Sequence, residues 1–334
     1  MEQLINQYIG GLKLGRRQFF KNLTVFALLS DYAANLDYCT LDEALAEDLI
    51  EVMEVSRGGS VPELKVLNKS DRMVLILDGE DLVGAKQNRI VNTTILIAGK
   101  TTTLIPVSCV EQGRWFYRSD KFSSEKRLMA SKLRARKADQ VKHSLKNLGN
   151  FSSDQGAIWN GVSEMAFSLD AESPSMAMSE IYRKNAPSIG KYVESFDLTD
   201  SQVGAVFMIN GQMAGMDCFG KPETFAKVFK KLVESYALDA IDSLKEGENQ
   251  KAPGTTKNDA AGFLKASAGC RVEIHQSVGL GSDCRLEADQ STGFALAHEK
   301  QILHMSLFAK AAETNAEFPG SRMIRFSHRR RRAF

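Results

Sequence analysis

Cysteine is scarce and unpatterned in this chain. Five occur in 334 residues (Cys39, Cys109, Cys218, Cys270 and Cys284), and no CxxC pair is among them. An odd, scattered set excludes a disulfide framework and argues against a zinc ribbon. Reduced, buried thiols are the default reading. Long apolar runs are missing too: none approaches the roughly 18 residues a membrane span needs. The first seven residues, Met1 to Gln7, lack the basic and apolar regions of a signal peptide, so a cytoplasmic protein without a membrane partner is expected. Charge of one sign is absent. Lys plus Arg is 43 and Asp plus Glu is 41, a net charge of +2, which disfavours nucleic acid or an anionic membrane as the main partner. No fixed-period repeat, HExxH, Walker loop or GxGxxG occurs. What is present is ordinary globular composition, 43% hydrophobic and 25% charged. A chain of this length can bury roughly 75% of its unfolded surface.

Up to about residue 110 the pattern is strand-rich. Apolar or alternating segments at 23–29, 51–55, 63–67, 73–77, 90–97 and 102–107 read as strands. Thr40 with Glu43 three residues on is a capping box, marking a helix start. Asp78-Gly79 directly after an apolar run signals a hairpin turn. Helix formers and basic residues dominate 123–147. Helical spacing of Ile158, Trp159, Val162, Met165, Ala166 and Leu169 marks 154–169. Two shorter helices are expected at 175–183 and 189–196, divided at Ala186-Pro187. Asn210-Gly211 between 203–209 and 212–219 is the strongest hairpin signal in the chain. One long amphipathic helix follows over 222–243, with Pro222 in its first turn. A polar loop spans 245–260, and strands return at 271–276, 284–288, 293–298 and 301–308. These readings give an α+β fold: strand-rich N- and C-terminal regions in a mostly antiparallel sheet system, helices in the middle, and one long helix. Residues 1–314 are expected to form a single large domain, with a sub-boundary near 119–200, and 315–334 a polar, arginine-rich tail.

Two polar stretches stand out. Lys86, Gln87, Asn88 and Arg89 are four long donors in a row between two strand-like runs, with Asn92, Thr93 and Thr94 just after. Cations pair with phosphate and amides bond hydroxyls and base edges, so this block suits a phosphate- or ribose-rich ligand. It equally suits a polar structural strand. The second stretch, Ser108, Cys109, Glu111, Gln112 and Arg114, sits at a strand exit, where sites commonly lie. Cys109 and Glu111 share a face if alternation persists. A carboxylate neighbour raises a thiol pKa, so Glu111 is the simpler chemical group, as general base. Glu80, in the run after Asp78, is a further carboxylate. Asp217 before the long helix reads as a cap. His298 and His304, flanking a Glu299-Lys300 turn, are the weak candidate for a metal pair. The basic segment 114–146 and the terminal arginine run, Arg329 to Arg332, read as solvated surface or as an RNA contact.

The blocks 41–45, 59–64, 77–89, 92–94, 105–115 and 215–220 together resemble the ARG-and-Rhodanese-Phosphatase-superfamily-associated protein domain, over about Leu14 to Phe308. That family is named for neighbours that include ADP-ribosylglycohydrolases. The resemblance implies a role in NAD-derived or ADP-ribose metabolism, with no catalytic assignment to carry over. Under that implication the chain is an enzyme on an ADP-ribose-like or other phosphorylated ribose compound. Glu80 or Glu111 would then be the general acid/base and Cys109 a candidate nucleophile. Lys86, Gln87, Asn88, Arg89, Asn92 and Arg114 would bind the ligand. The alternatives are a non-catalytic sensor of the same ligand and an RNA-interacting module. The cofactor is open, a divalent cation being one option, and so is homo-oligomerisation.

Overall fold

The computed structural model describes residues 1–56, 58–60, 62–245 and 256–310. The expected arginine-rich tail and most of the expected polar loop lie outside them. The N-terminal part runs α1 (Glu2–Gly10), β1 (Lys13–Phe20), β2 (Leu23–Leu29), β3 (Tyr38–Thr40), α2 (Leu41–Ala46), β4 (Ile50–Glu54), β5 (Glu63–Asn68), β6 (Met73–Ile76), β7 (Glu80–Gly84), β8 (Arg89–Val91), β9 (Ile95–Ile97) and β10 (Thr102–Cys109). The middle holds β11 (Phe122–Leu128), α3 (Ser131–Leu148), α4 (Gln155–Ser168) and α5 (Met178–Glu194). Then come β12 (Gln202–Ile209), β13 (Gln212–Phe219), α6 (Pro222–Lys245), α7 (Lys257–Ser267), β14 (Arg271–Gln276), β15 (Ser282–Glu287), β16 (Ser291–His298) and β17 (Gln301–Ala309). The α+β class is what forms.

The largest sheet has eight antiparallel strands in the order β1-β2-β12-β13-β17-β16-β15-β14. The two strand-rich ends of the chain therefore share one sheet. Its interior strand β12 is buried at every position, because both faces are covered. Ala205, Phe207 and Ile209 pack with α5 and α6, while Val206 and Met208 pack with α1 and α7. Successive side chains on a strand point to opposite faces, so one apolar strand feeds two cores. Asn210 and Gly211 both have positive φ, +50° and +80°, as the tight turn between β12 and β13 requires. A six-stranded sheet, β11-β7-β8-β10-β5-β4, and a small sheet, β3-β6-β9, complete the architecture.

Thr40 caps α2 with the reciprocal Glu43 bond of a capping box. Several expectations are corrected. Pro187 does not divide two helices: α5 runs through it. One backbone bond is forfeited there, while Ile181, Tyr182, Ile189 and Tyr192 hold both halves on the core. Asp78-Gly79 closes no hairpin. It links β6 and β7, which lie in different sheets, and Asp78 is fully buried. The run 90–97 breaks into β8 and β9, and 123–147 divides into a strand and then α3. Residues 257–260 begin α7 under a Thr256–Asp259 capping box. Asp217 caps nothing; it is buried inside β13. His298 pairs with Gln301 and His304 with Leu296, so the two histidines do not face each other. The helix α1 and the edge strand β1 were not expected.

Candidate functional site

The two polar stretches do meet, and their contents are mostly bonded to one another. Gly84 has φ +129°, and a Cβ there would stand 2.6 Å from Ser119 Oγ. This glycine lets the 113–121 loop close onto the end of β7. Arg114, a residue of that loop, is buried. Its Nε donates to Glu111 Oε2 at 2.8 Å, and its terminal nitrogens donate to the carbonyls of Gly84, Ala85 and Phe116 and to Asn88 Oδ1. The Asn88 amide donates to Glu111 Oε2 at 3.2 Å, and the Gln87 side chain donates to the Glu111 carbonyl. Burial works to raise the Glu111 pKa. The bonds from Arg114 and the Asn88 backbone outweigh it, and the carboxyl is held below its usual range. Glu111, Arg114, Gln87 and Asn88 thus form one closed knot.

Arg89, next along β8, points the other way. Its NH1 donates to Gln87 Oε1 at 2.9 Å, and its NH2 stands 3.9 Å from Glu54. Neither carboxylate oxygen of Glu54 has a hydrogen-bond partner among the described residues. Lys86 donates to the Gly58 carbonyl and lies between the rings of Trp115 and Tyr117, 5.3 and 5.2 Å from their centroids. Burial pushes the Cys109 thiol up to about 11, Arg89 only partly opposing it. At neutral pH it carries no appreciable thiolate. Asn92 is a strut: its side chain donates to the Phe151 carbonyl and accepts from Ser108.

Glu80 belongs to a different group. Lys231 of α6 donates to both its oxygens, at 2.7 and 3.0 Å, and to Asp42 at 2.9 Å. Burial works against the charge on Lys231. Its two carboxylates more than offset this, and its pKa is raised.

A third group was not expected at all. Arg134 and Lys137 of α3 are fully buried. Arg134 bonds Asp217 at 2.6 Å and stands 3.4 Å from Asp78, which also takes Lys137. Tyr236 donates to Asp217 at 2.9 Å, while His304 stands 3.5 Å from it and bonds Thr94 at 2.8 Å. Burial opposes the ionised Asp217, yet Arg134 beside it holds the carboxyl well below the carboxylate range. Burial lowers the pKa of His304. This cluster joins α3 to the eight-stranded sheet.

Open space lies on the other side of the 113–121 loop, in a cleft of about 420 Å³. Val83, Gly84 and Asn88 form its inner wall, and Arg118 and Ser119 come from the loop. Ser123, Glu125 and Arg127 come from β11; Ser179, Glu180 and Arg183 come from the start of α5. Arg127 is 3.5 Å from Glu125, and Arg183 donates to Glu180 at 2.9 Å. The Arg118 guanidinium has no hydrogen-bond or ion-pair partner among the described residues. Asp81 shares a strand face with Val83, which lines the cleft. Its carboxyl is fully buried, and neither oxygen has a partner among the described residues. Burial first, then the Glu125 charge, push its pKa up to about 8 despite Arg127. Asp81 is therefore a protonated acid at neutral pH, beneath a cleft lined by three arginines.

The sequence pointed to the walls of this cleft rather than to its lining. Of the expected ligand residues, only Asn88 lines it. Among the described residues no group of three or more His, Cys, Asp or Glu could hold a metal ion. No helix among them is long and apolar enough to cross a membrane.

A family model, the ARG and Rhodanese-Phosphatase-superfamily-associated Protein domain, matches residues 11–308. The chain belongs to this family. No curated protein and no solved structure matches it.

Proposed function

We propose that the cleft between β7, β11, the 113–121 loop and the start of α5 binds the phosphate and ribose groups of an ADP-ribose-like compound. We further propose that the protein acts on that compound by general acid chemistry. The observation that carries the reading is the convergence of Arg118, Arg127 and Arg183 with three serine hydroxyls on one cleft, with the buried acid Asp81 on the same strand face as Val83 of its wall. Guanidinium groups bind phosphate oxygens in fork geometry, and hydroxyls bond ribose and phosphate alike. The family's name adds an ADP-ribose context. Asp81 takes the acid role first expected of Glu80 or Glu111: Arg114 holds Glu111 ionised, and Glu80, though burial pushes it up to about 7, has both oxygens taken by Lys231. A neutral carboxylic acid can give a proton to a leaving oxygen; a paired carboxylate has none to give.

A second reading has its own observation. Every other expected catalytic group is either ion-paired or a buried thiol, which suits a sensor that binds without turnover.

Mass spectrometry on a panel of NAD, ADP-ribose, its cyclic and phosphorylated forms and ribose phosphates, with and without magnesium or manganese, separates the two. A new product mass from the wild type, abolished in Asp81→Asn while binding survives, supports the enzyme. Retention of one compound unchanged supports the sensor. Neither conversion nor retention removes the reading.

A further inference from the structure

The loop that closes onto Gly84 carries three aromatics in succession, Trp115, Phe116 and Tyr117, and all three are exposed. They divide into two sets. Trp115 and Tyr117 share Lys86, on the side of Arg89 and Glu54. Phe116 lies instead over the Arg114 guanidinium, 5.9 Å from it. Arg114 in turn bonds Gly84 and Asn88, both of which line the cleft. Phe116 is followed at once by Tyr117 and then Arg118, whose unpaired guanidinium lines the same cleft. Phe116 is 62% exposed, and its backbone is fixed by the bond from Arg114 to its carbonyl at 3.0 Å. A large apolar ring on a pinned loop, backed by a buried cation and left mostly in water, gains little from burial. It is a stacking surface in search of a flat partner.

We infer that Phe116 is the platform for a nucleobase, so that the cleft takes a nucleotide whose phosphates reach Arg118 and whose base lies on Phe116. This rests on the cleft being the phosphate site, and it narrows the ligand from any phosphorylated ribose to one bearing a base. Every base has a π-face, so an aromatic platform selects for the presence of a base rather than for its identity.

The test is a calorimetric titration of the full chain with ADP-ribose and with ribose 5-phosphate. Wild type binds ADP-ribose the more tightly. Phe116→Ala weakens ADP-ribose roughly 5- to 150-fold, the worth of one base–aromatic stack, and leaves ribose 5-phosphate unchanged. Phe116→Trp keeps the preference. Phe167→Ala, which removes a still more exposed ring elsewhere, changes neither. A Phe116→Ala variant that loses both ligands equally, or neither, overturns the platform. If neither compound binds the wild type, the phosphate cleft itself is wrong and the platform falls with it.

Discussion

Asp81 is the residue on which the account turns, and its titration has a measurable consequence. A carboxyl in an unfolded chain loses its proton near pH 4. In the folded protein burial keeps the Asp81 proton up to about pH 8. Between these limits the folded state binds the extra proton, so this group's contribution to stability falls as pH rises from about 4 to about 8. Asp81→Asn removes the effect without removing the shape. Urea melts of the two proteins at pH 5 and pH 9 should show the variant gaining on the wild type as pH rises. Parallel behaviour at both pH values would show that Asp81 is not a buried acid. Sequence reading could not single this residue out. Asp81 sits beside Glu80 in an acidic pair, and nothing local says that one bonds Lys231 and the other has no bonded partner among the described residues. Cys109 illustrates the converse. Its position at a strand exit and its burial were both legible, since a buried thiol is the default reading for an unpatterned cysteine.

At the scale of elements, local chemistry was read well where it acted alone. The capping box at Thr40, the Asn210-Gly211 turn and the amphipathic run of α6 all formed where the sequence put them. It misled where packing overrode it, and α5 is the clearest case. Pro187 sits in mid-helix and exposed, where it denies the Arg183 carbonyl a donor. An exposed proline contributes little packing, so Pro187→Ala should stabilise the protein by roughly 1–2 kcal/mol, the helix penalty less the unfolded-state entropy proline removes. Calorimetric melting checks this. A lower Tm for the variant would mean that the ring, not the surrounding core, sets the course of the helix. The basic segment 114–146 misled in the same way. Read as a solvated face, it sends Arg134 and Lys137 into the interior, because Asp78 and Asp217 arrive there from distant parts of the chain.

For the whole molecule, the sharing of one sheet by both ends explains why no clean division of the chain was visible. It also explains why the cleft was half-legible. Of the polar stretches 84–89 and 111–114, dense enough to notice in the sequence, only Gly84 and Asn88 line it. Its lining comes from four separated segments that only the fold brings together, so Arg118, Arg127 and Arg183 looked like ordinary surface charge. Arg118 is the group that separates a binding site from a charged surface, since it has no ion-pair partner to lose. The most direct measurement is therefore the affinity of ADP-ribose for wild type and for Arg118→Ala, titrated at two salt concentrations. Wild type is expected to bind saturably and the variant about tenfold or more weaker, the worth of one charge-assisted contact, with an unchanged Tm and a shallower salt dependence. Binding that survives Arg118→Ala undiminished would contradict this reading.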